Sequence, residues 1–505
     1  MGDLIQHSPY KAGSIERGGF SLRGTRSEIA PRPPLDVPFG ERQLIMSRQV
    51  MEDWYDCRRT VHPVEKHEAN PLISGQMPWE AEGPTGNGTV MYDELLGRFR
   101  LWTQIWNNVA SSAERDFHAV YYESADGIEW SRPVLDQHEY EGSRANNLIE
   151  LGPYMPATVT VFRIPEVHRE RGRYGMVMAG PRDVPLGPDD HRMEQFLYFS
   201  DDGLHWRQPE DNFFRGRCDC AQPLLWNPER QVYMYYRRMT VNAKEIRRIA
   251  YTESADLETW TQPQVVIGTD ELDPLYFYGM PVSRYQNMYL GLLQCFYDHP
   301  DYDHVKVAKS HEVDIQLAWS RDGVDWERHP ERPIFIPTGV IRPGSPDWGM
   351  VYALSEIVDV GDRAHVYYCG SEGLHTSVTG ERGRHICLGT VRRDGFVSLD
   401  TPREGWALTA PLRCPGGKLH INAATAADGV VQVALREGEG VRDGEWPPAW
   451  SLDQATSFSG DRIDHEVNWQ GQDDLSQWAG RTIRLEFRME RASLYSFWFE
   501  GGGVE

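Results

Sequence analysis

Apolar and polar residues alternate along this chain in short runs of period two, and no long stretch carries the apolar spacing of an amphipathic helix. The run from Thr89 to Trp106, "TVMYDELLGRFRLWTQIW", reads strand, acidic hairpin, strand. The same unit recurs in "PATVTVF" with "RYGMVMAG", in "AQPLLWNPERQVYMYYRR", in "LYFYGMPVSRYQNMYLGLL" and in "MVYALSEIVDVGDRAHVYYC". Each pair precedes a third strand-like run, and each third run ends in a related turn: "SADGIEW" at Ser124, "SDDGLHW" at Ser200, "SADLETW" at Ser254, "SRDGVDW" at Ser320 and the reduced "RRDGF" at Arg392.

The turn has a local logic. The Asp carboxylate accepts turn N–H bonds, Gly supplies a positive φ, and the Trp is a large apolar anchor for a neighbouring sheet. Leu257 stands where the other turns have Gly, which predicts a wider or strained turn there. Measured Asp to Asp the turns lie 76, 54, 66 and 72 residues apart. Repeats of this length, each with strands separated by frequent turns, predict the four-stranded blades of a β-propeller, five of them between about Pro71 and Asp400. Asp126, Asp202 and Asp322 are expected to serve folding and not catalysis. Beyond Thr401 the pattern changes to longer alternating runs with Gly-rich turns, which predicts a small β-sandwich. The chain therefore divides into an irregular N-terminal arm packing on the propeller (1–65), an all-β five-bladed propeller (66–400) and a β-sandwich (401–505).

Composition narrows the function. The formal charge of −23 argues against nucleic acid or an anionic membrane surface as partner. No apolar run is long enough to span a bilayer, and "MGDLIQHSPYKAGS" lacks the charged and apolar regions of a signal peptide, so a cytoplasmic protein is expected. Seven scattered cysteines form no disulfide framework, and "CDC" at Cys218 to Cys220 has no further ligand cluster, so neither a metal nor a cofactor is expected. The aromatic content suits flat sugar-stacking surfaces and blade packing equally. A homo-oligomer stays open.

Five blades followed by a sandwich, the "SxDGxxW" turns, "NPL" at Asn70, the pairing of "PWE" (Pro78 to Glu80) with "TVMYDE", and the tail "GWALTAP…GGKLHINAA" together resemble glycoside hydrolase family 32, whose relatives in families 43 and 130 share the propeller. The chain has "PTGNGTV" where family 32 carries its blade-one Asn-Asp-Pro-Asn-Gly motif, and "MPATVTV" where blade two carries Arg-Asp-Pro. The resemblance implies a carbohydrate substrate and catalysis by carboxylates in a central pocket, without implying the family's own sugar.

Glycoside cleavage needs a carboxyl group that donates a proton and a second that acts as nucleophile or base. In a propeller the innermost strands begin at the central pocket, so acids at their starts are the candidates: Glu80 and Glu82 for blade one, Asp219 for blade three, Asp270 and Asp273 for blade four, Asp347 for blade five. Asp93, Glu94, Glu229, Asp359 and Asp362 fall in hairpins and are expected at the surface. The resemblance assigns Asp219 as general acid; Glu80 is the expected nucleophile or base, and Asp347 orients the sugar or tunes the acid. Trp79 is a candidate sugar platform, or else closes the arm onto the propeller. Arg237 with Arg238, Glu82, Asp273 and His375 are candidate substrate-binding groups, and Asp303 and His304 lie on a long blade-four loop that either edges the site or is solvated. The function expected is a glycosidase acting at the end of a small or oligomeric carbohydrate. A glycoside phosphorylase and a non-catalytic carbohydrate-binding propeller are the alternatives.

Overall fold

The computed structural model describes residues 32–107, 116–152, 156–180, 194–209, 213–215, 218, 220–241, 246–297, 311–375, 383–438 and 447–501. Five antiparallel blades follow one another around a ring. Blade one is built from Pro84–Asp93, Arg98–Asn107, Asp116–Ser124 and Trp130–Ser131. Blade two runs Thr158–Arg163, Tyr174–Gly180, Glu194–Ser200 and Phe214–Arg215, and blade three Leu224–Asn227, Val232–Val241, Ile246–Ser254 and Gln264–Ile267. Blade four has a broken inner strand, Tyr276–Gly279 and Val282–Tyr285, followed by Met288–Phe296, Val313–Ser320 and Ile334–Ile336. Blade five comprises Met350–Val360, Arg363–Ser371 and Arg384–Arg392, and its outer edge is completed by Glu65–Lys66 and Ile73–Ser74, from before blade one. Borrowing that edge from the start of the propeller closes the ring without leaving a free strand edge there.

The repeated turns are the second closure device. In each, the Asp carboxylate accepts two backbone N–H bonds, those of Val324 and Asp325 for Asp322, at 2.8 Å each. The Ser hydroxyl accepts the N–H of the residue after the Asp, as Ser320 does from Gly323. The turn so held points a backbone carbonyl at the second strand of the preceding blade. Gly203 O accepts from the Trp102 indole of blade one at 2.7 Å, Gly323 O from the Tyr236 hydroxyl of blade three at 2.5 Å, and Gly127 O from the Tyr367 hydroxyl of blade five at 2.9 Å. Leu257 keeps the same hydrogen bonds in a left-handed conformation (φ 65°), so the turn is strained and not wider. Its side chain is buried against Phe162, Val177 and Leu197 of blade two. The fifth turn follows suit, with Asp394 bonded to the Tyr285 hydroxyl of blade four.

The C-terminal part is a sandwich organised by two long bent strands, Lys418–Glu437 and Thr482–Glu500. Ile483, Leu485, Phe487 and Met489 alternate into its core. The N-terminal arm is less irregular than expected: it gives Leu35–Asp36, Gln43–Leu44, Met51–Tyr55 and Arg58–Val61 to the sandwich sheet. It also packs on the propeller, where Leu44, Met46, Val61 and Val64 join the apolar core between blades four and five and the Ser47 hydroxyl donates to Glu327. Asp394 ties the parts together: it is fully buried, pairs with Arg42 of the arm at 3.0 Å and accepts from the Ser496 hydroxyl at 2.6 Å.

Asp93, expected at the surface, is buried. Its carboxylate holds the Leu95 and Leu96 N–H groups, the Arg100 guanidinium and the Tyr174 hydroxyl, so a hairpin acid has become a blade-one to blade-two tie. Glu94, Glu229 and Asp362 are exposed, and Asp359 is half-buried against Tyr285 and Arg393.

The turns make the fold acid-sensitive in a defined window. Burial alone would raise the Asp202 carboxyl, but the His205 side chain, the His205 and Leu204 N–H groups and the Ser200 hydroxyl hold it down at about 2, against an ordinary 3.8. The unfolded chain therefore takes up a proton near pH 4 that the folded turn refuses until about pH 2, and the turn's contribution is complete above that range and lost as pH falls through it. Asp202→Asn should flatten the fall of the urea midpoint between about pH 4.5 and 2; an unchanged slope would show that this carboxylate does not couple to stability.

Candidate active site

The innermost strands begin at one end of the ring, and a pocket lies there. Its wall consists of Thr85, Gly86, Asn87 and Trp106 from blade one, Tyr278 from blade four, and Met350, Tyr352, His375 and Arg384 from blade five. The cavity encloses about 390 Å³, including space open to solvent. The repeated turns are at the other end, since Ser124 pairs with Phe99 beside the blade-one hairpin.

"PTGNGTV" builds the blade-one wall. Pairing with the second strand shifts register between Thr85 and Thr89, and the bulge needs its glycines: Gly86 has φ 50°, and a Cβ on Gly88 would stand 2.6 Å from Trp102 O. Asn87 is thereby displaced from the regular ladder into the pocket wall. Its Oδ1 is buried with no hydrogen-bond partner among the described residues. The same is true of Gln104 Nε2 on the adjacent strand, Thr160 Oγ1 on the inner strand of blade two, and both amide atoms of Gln294 on blade four. Buried polar atoms normally find partners, and such a set implies water or a hydroxyl-bearing ligand.

Cations gather on the blade-five and blade-four sides. Arg384 donates to Thr85 Oγ1 at 2.6 Å, stacks 4.8 Å from the Trp106 ring centre, and stands 3.9 Å from Glu82, whose carboxylate is buried. His375 lies 3.4 Å from the Tyr278 hydroxyl and packs against the Phe296 ring. Arg238 and Arg247 sit over the Tyr278 ring at 5.0 and 5.5 Å.

Of the residues singled out in the sequence, His375 lines this pocket, Glu82 stands behind Arg384 of its wall, and Arg238 approaches it through Tyr278. The others are engaged elsewhere. Glu80 is fully buried against the third strand of blade one; Arg132 grips both its oxygens at 2.8 and 3.0 Å, and the Tyr122 hydroxyl and Gln76 N–H complete its hydrogen bonds. Asp347 turns away to the outer half of blade five, bonded to Lys66 Nζ at 2.6 Å and the Tyr368 hydroxyl at 2.8 Å. Asp273 is clamped by Arg328, with Arg332 at 3.4 Å, and burial against these bonds leaves its carboxyl below the usual range. Asp270 pairs with Arg332. Trp79 packs edge-on against Tyr140 and donates to Asn147, as a residue closing the blade and not a pocket platform. Arg237 lies over Phe214, on the blade-two side. Asp219, Asp303 and His304 lie outside the described residues, but Cys218 and Cys220, flanking Asp219, are buried in one cluster with Tyr278 and Met350 of the pocket wall.

No family model and no curated protein matches the chain. Solved structures with similar folds include a β-1,2-mannobiose phosphorylase from Listeria innocua (14% identity, TM-score 0.46, covering 66% of this chain and 98% of that one). An N-acetylgalactosamine deacetylase from F. plautii (14%, 0.44, 68% and 97%) and a thermostable family-43 glycoside hydrolase (16%, 0.41, 63% and 93%) are similar at the same level. Neither substrate nor reaction follows from similarity at this distance.

Glu80 and Asp347 should act on stability and not on turnover. Breaking one partner of a buried ion pair typically costs about 3–5 kcal/mol. Glu80→Gln and Asp347→Asn should lower the melting temperature clearly, with the folded fraction keeping the wild-type kcat; a loss of kcat at unchanged stability would return either residue to the chemistry.

Proposed function

We propose that this protein is a carbohydrate-active enzyme that cleaves a glycosidic bond at the end of a small or oligomeric sugar bound in the strand-start pocket. The observation that carries the reading is Asn87, whose buried amide oxygen in the pocket wall has no hydrogen-bond partner among the described residues, combined with the rings of Trp106, Tyr278 and Tyr352. A sugar offers both matching surfaces, an apolar C–H face and a rim of hydroxyls. A pocket closed by the ring below and open at one end accommodates a chain terminus better than a chain interior.

The chemistry assigns two carboxyl groups. Asp219, between two cysteines packed on the pocket wall, is the proposed general acid that protonates the leaving oxygen. Glu82, near Arg384, is the proposed second carboxylate and replaces Glu80 in that role. Water, giving a proton to Glu82, bonds to the anomeric carbon as the bond to the leaving oxygen breaks and the proton from Asp219 completes the departing hydroxyl. The proton on Glu82 then returns to Asp219 through solvent. A second reading is a phosphorylase, in which inorganic phosphate takes the place of water; the specific observation favouring it is the gathering of Arg384, His375, Arg238 and Arg247 on one side of the pocket.

Turnover of a panel of nitrophenyl glycosides and natural oligosaccharides, run with and without phosphate, separates these readings. The expected result is release of sugar from at least one compound, with Asp219→Asn and Glu82→Gln each lowering kcat by at least about a hundredfold. Rates that rise with phosphate and yield a sugar phosphate select the phosphorylase. Binding of a sugar without turnover in either buffer would leave a non-catalytic carbohydrate-binding propeller.

A further inference from the structure

A second cavity lies far from the propeller pocket, on the outer face of the C-terminal sheet. It is lined by Tyr55, Glu404, Gly405, Trp406, Leu452, Glu486 and Arg488 and encloses about 710 Å³, with one side open to solvent. Its floor is fixed by strand register. Tyr55, Trp406 and Arg488 stand side by side on three neighbouring strands, and Asp53, Leu408 and Glu486 form the next row. The opposite face of the same strands, including Ala407, Phe487 and Met489, makes the sandwich core, so the cavity side is not needed for that burial.

Three features mark this face. Tyr55 keeps 67% of its surface exposed directly beside the half-buried Trp406, so two rings stand together on this face. Gly405 brings the sheet backbone close beneath it, since a Cβ there would stand 2.7 Å from Tyr55 O. Glu486 is half-buried yet accepts no side-chain hydrogen bond from any described residue; its burial raises its carboxyl, with Arg436 and Arg488 opposing. Arg488 donates to Glu404 at the rim.

We propose that this cavity is a second, non-catalytic binding site for carbohydrate, in which a sugar ring lies against Tyr55 and Trp406 while Glu486 and the Arg488–Glu404 pair hold its hydroxyls. The walls are too charged for an apolar helix or peptide, and the two rings with Leu452 give too small an apolar area for a stable protein interface. The site stands on its own geometry and does not require the propeller pocket to be catalytic.

Affinity electrophoresis through gels containing mannan, levan, arabinan, xylan or polygalacturonate tests it. Wild-type protein should be retarded by at least one of these polymers. The apparent affinity should fall by at least about fivefold in Tyr55→Ala and in Glu486→Gln, the scale of losing one good contact, and stay unchanged in Leu95→Ala, at an exposed hairpin residue that lines neither cavity. Tyr55 is exposed, so its removal leaves the fold intact, which near-ultraviolet circular dichroism checks. Absence of retardation by every polymer, or equal retardation of wild type and Tyr55→Ala, overturns the proposal. Loss of retardation confined to Arg384→Ala overturns it too, and assigns the binding to the propeller.

Discussion

A backbone carbonyl held at the tip of a repeated turn joins one blade to the next at three of the five blade interfaces, while the Leu257 side chain and the Asp394 carboxylate make the other two joins, and the ring depends on these contacts. A blade cannot bury both faces alone, so the fold needs a join at every interface. The turn supplies it: a residue in left-handed conformation, fixed by Ser and Asp side chains, presents its carbonyl to an indole or phenol donor on the preceding blade. The join between Gly127 and Tyr367 is the one that links the first blade to the last. The edge supplied by Glu65–Lys66 and Ile73–Ser74 closes the same interface from the outside.

Because the turns latch the blades at the hairpin end, the strand-start end is relieved of that duty. There the inner strand of blade one can carry a glycine-dependent bulge, that of blade two the unpartnered Thr160 hydroxyl, and that of blade four a break. Buried carboxylates divide along the same line. Glu80, Asp347, Asp273 and Asp394 are each matched by a cation, Arg132, Lys66, Arg328 and Arg42 in turn, and serve to tie distant segments of chain together. Removing one partner of such a pair strands a buried charge, which is why they are poor candidates for proton traffic during a reaction.

The fold was legible because both of its signals are local. Period-two alternation and a turn motif repeated at blade spacing need no long-range knowledge to read, and they located the blades, the pocket end and the peripheral place of the turns. The site was legible only in part. Strand starts pointed to Glu82, which stands beside Arg384, and equally to Glu80 and Asp347, which are drawn outward by Arg132 and Lys66. Arg132 lies 52 residues from Glu80 and Lys66 lies 281 from Asp347, distances at which sequence carries no sign of pairing. Asn87 was hidden differently: the segment "PTGNGTV" drew notice for a missing Asp, while its glycines were the sign of a bulge that turns Asn87 to the pocket. The arm's short strands escaped notice because their partners begin more than 300 residues later.

The most direct test of the central claim is a crystal soaked in a concentrated mixture of glucose, galactose, mannose, xylose, arabinose and fructose. The account predicts sugar density in the strand-start pocket, beside Trp106 and Tyr278 and at hydrogen-bonding distance from Asn87 and Arg384. A pocket that stays empty of sugar at saturating concentration, or sugar bound instead at Glu80 or Asp347, would contradict it.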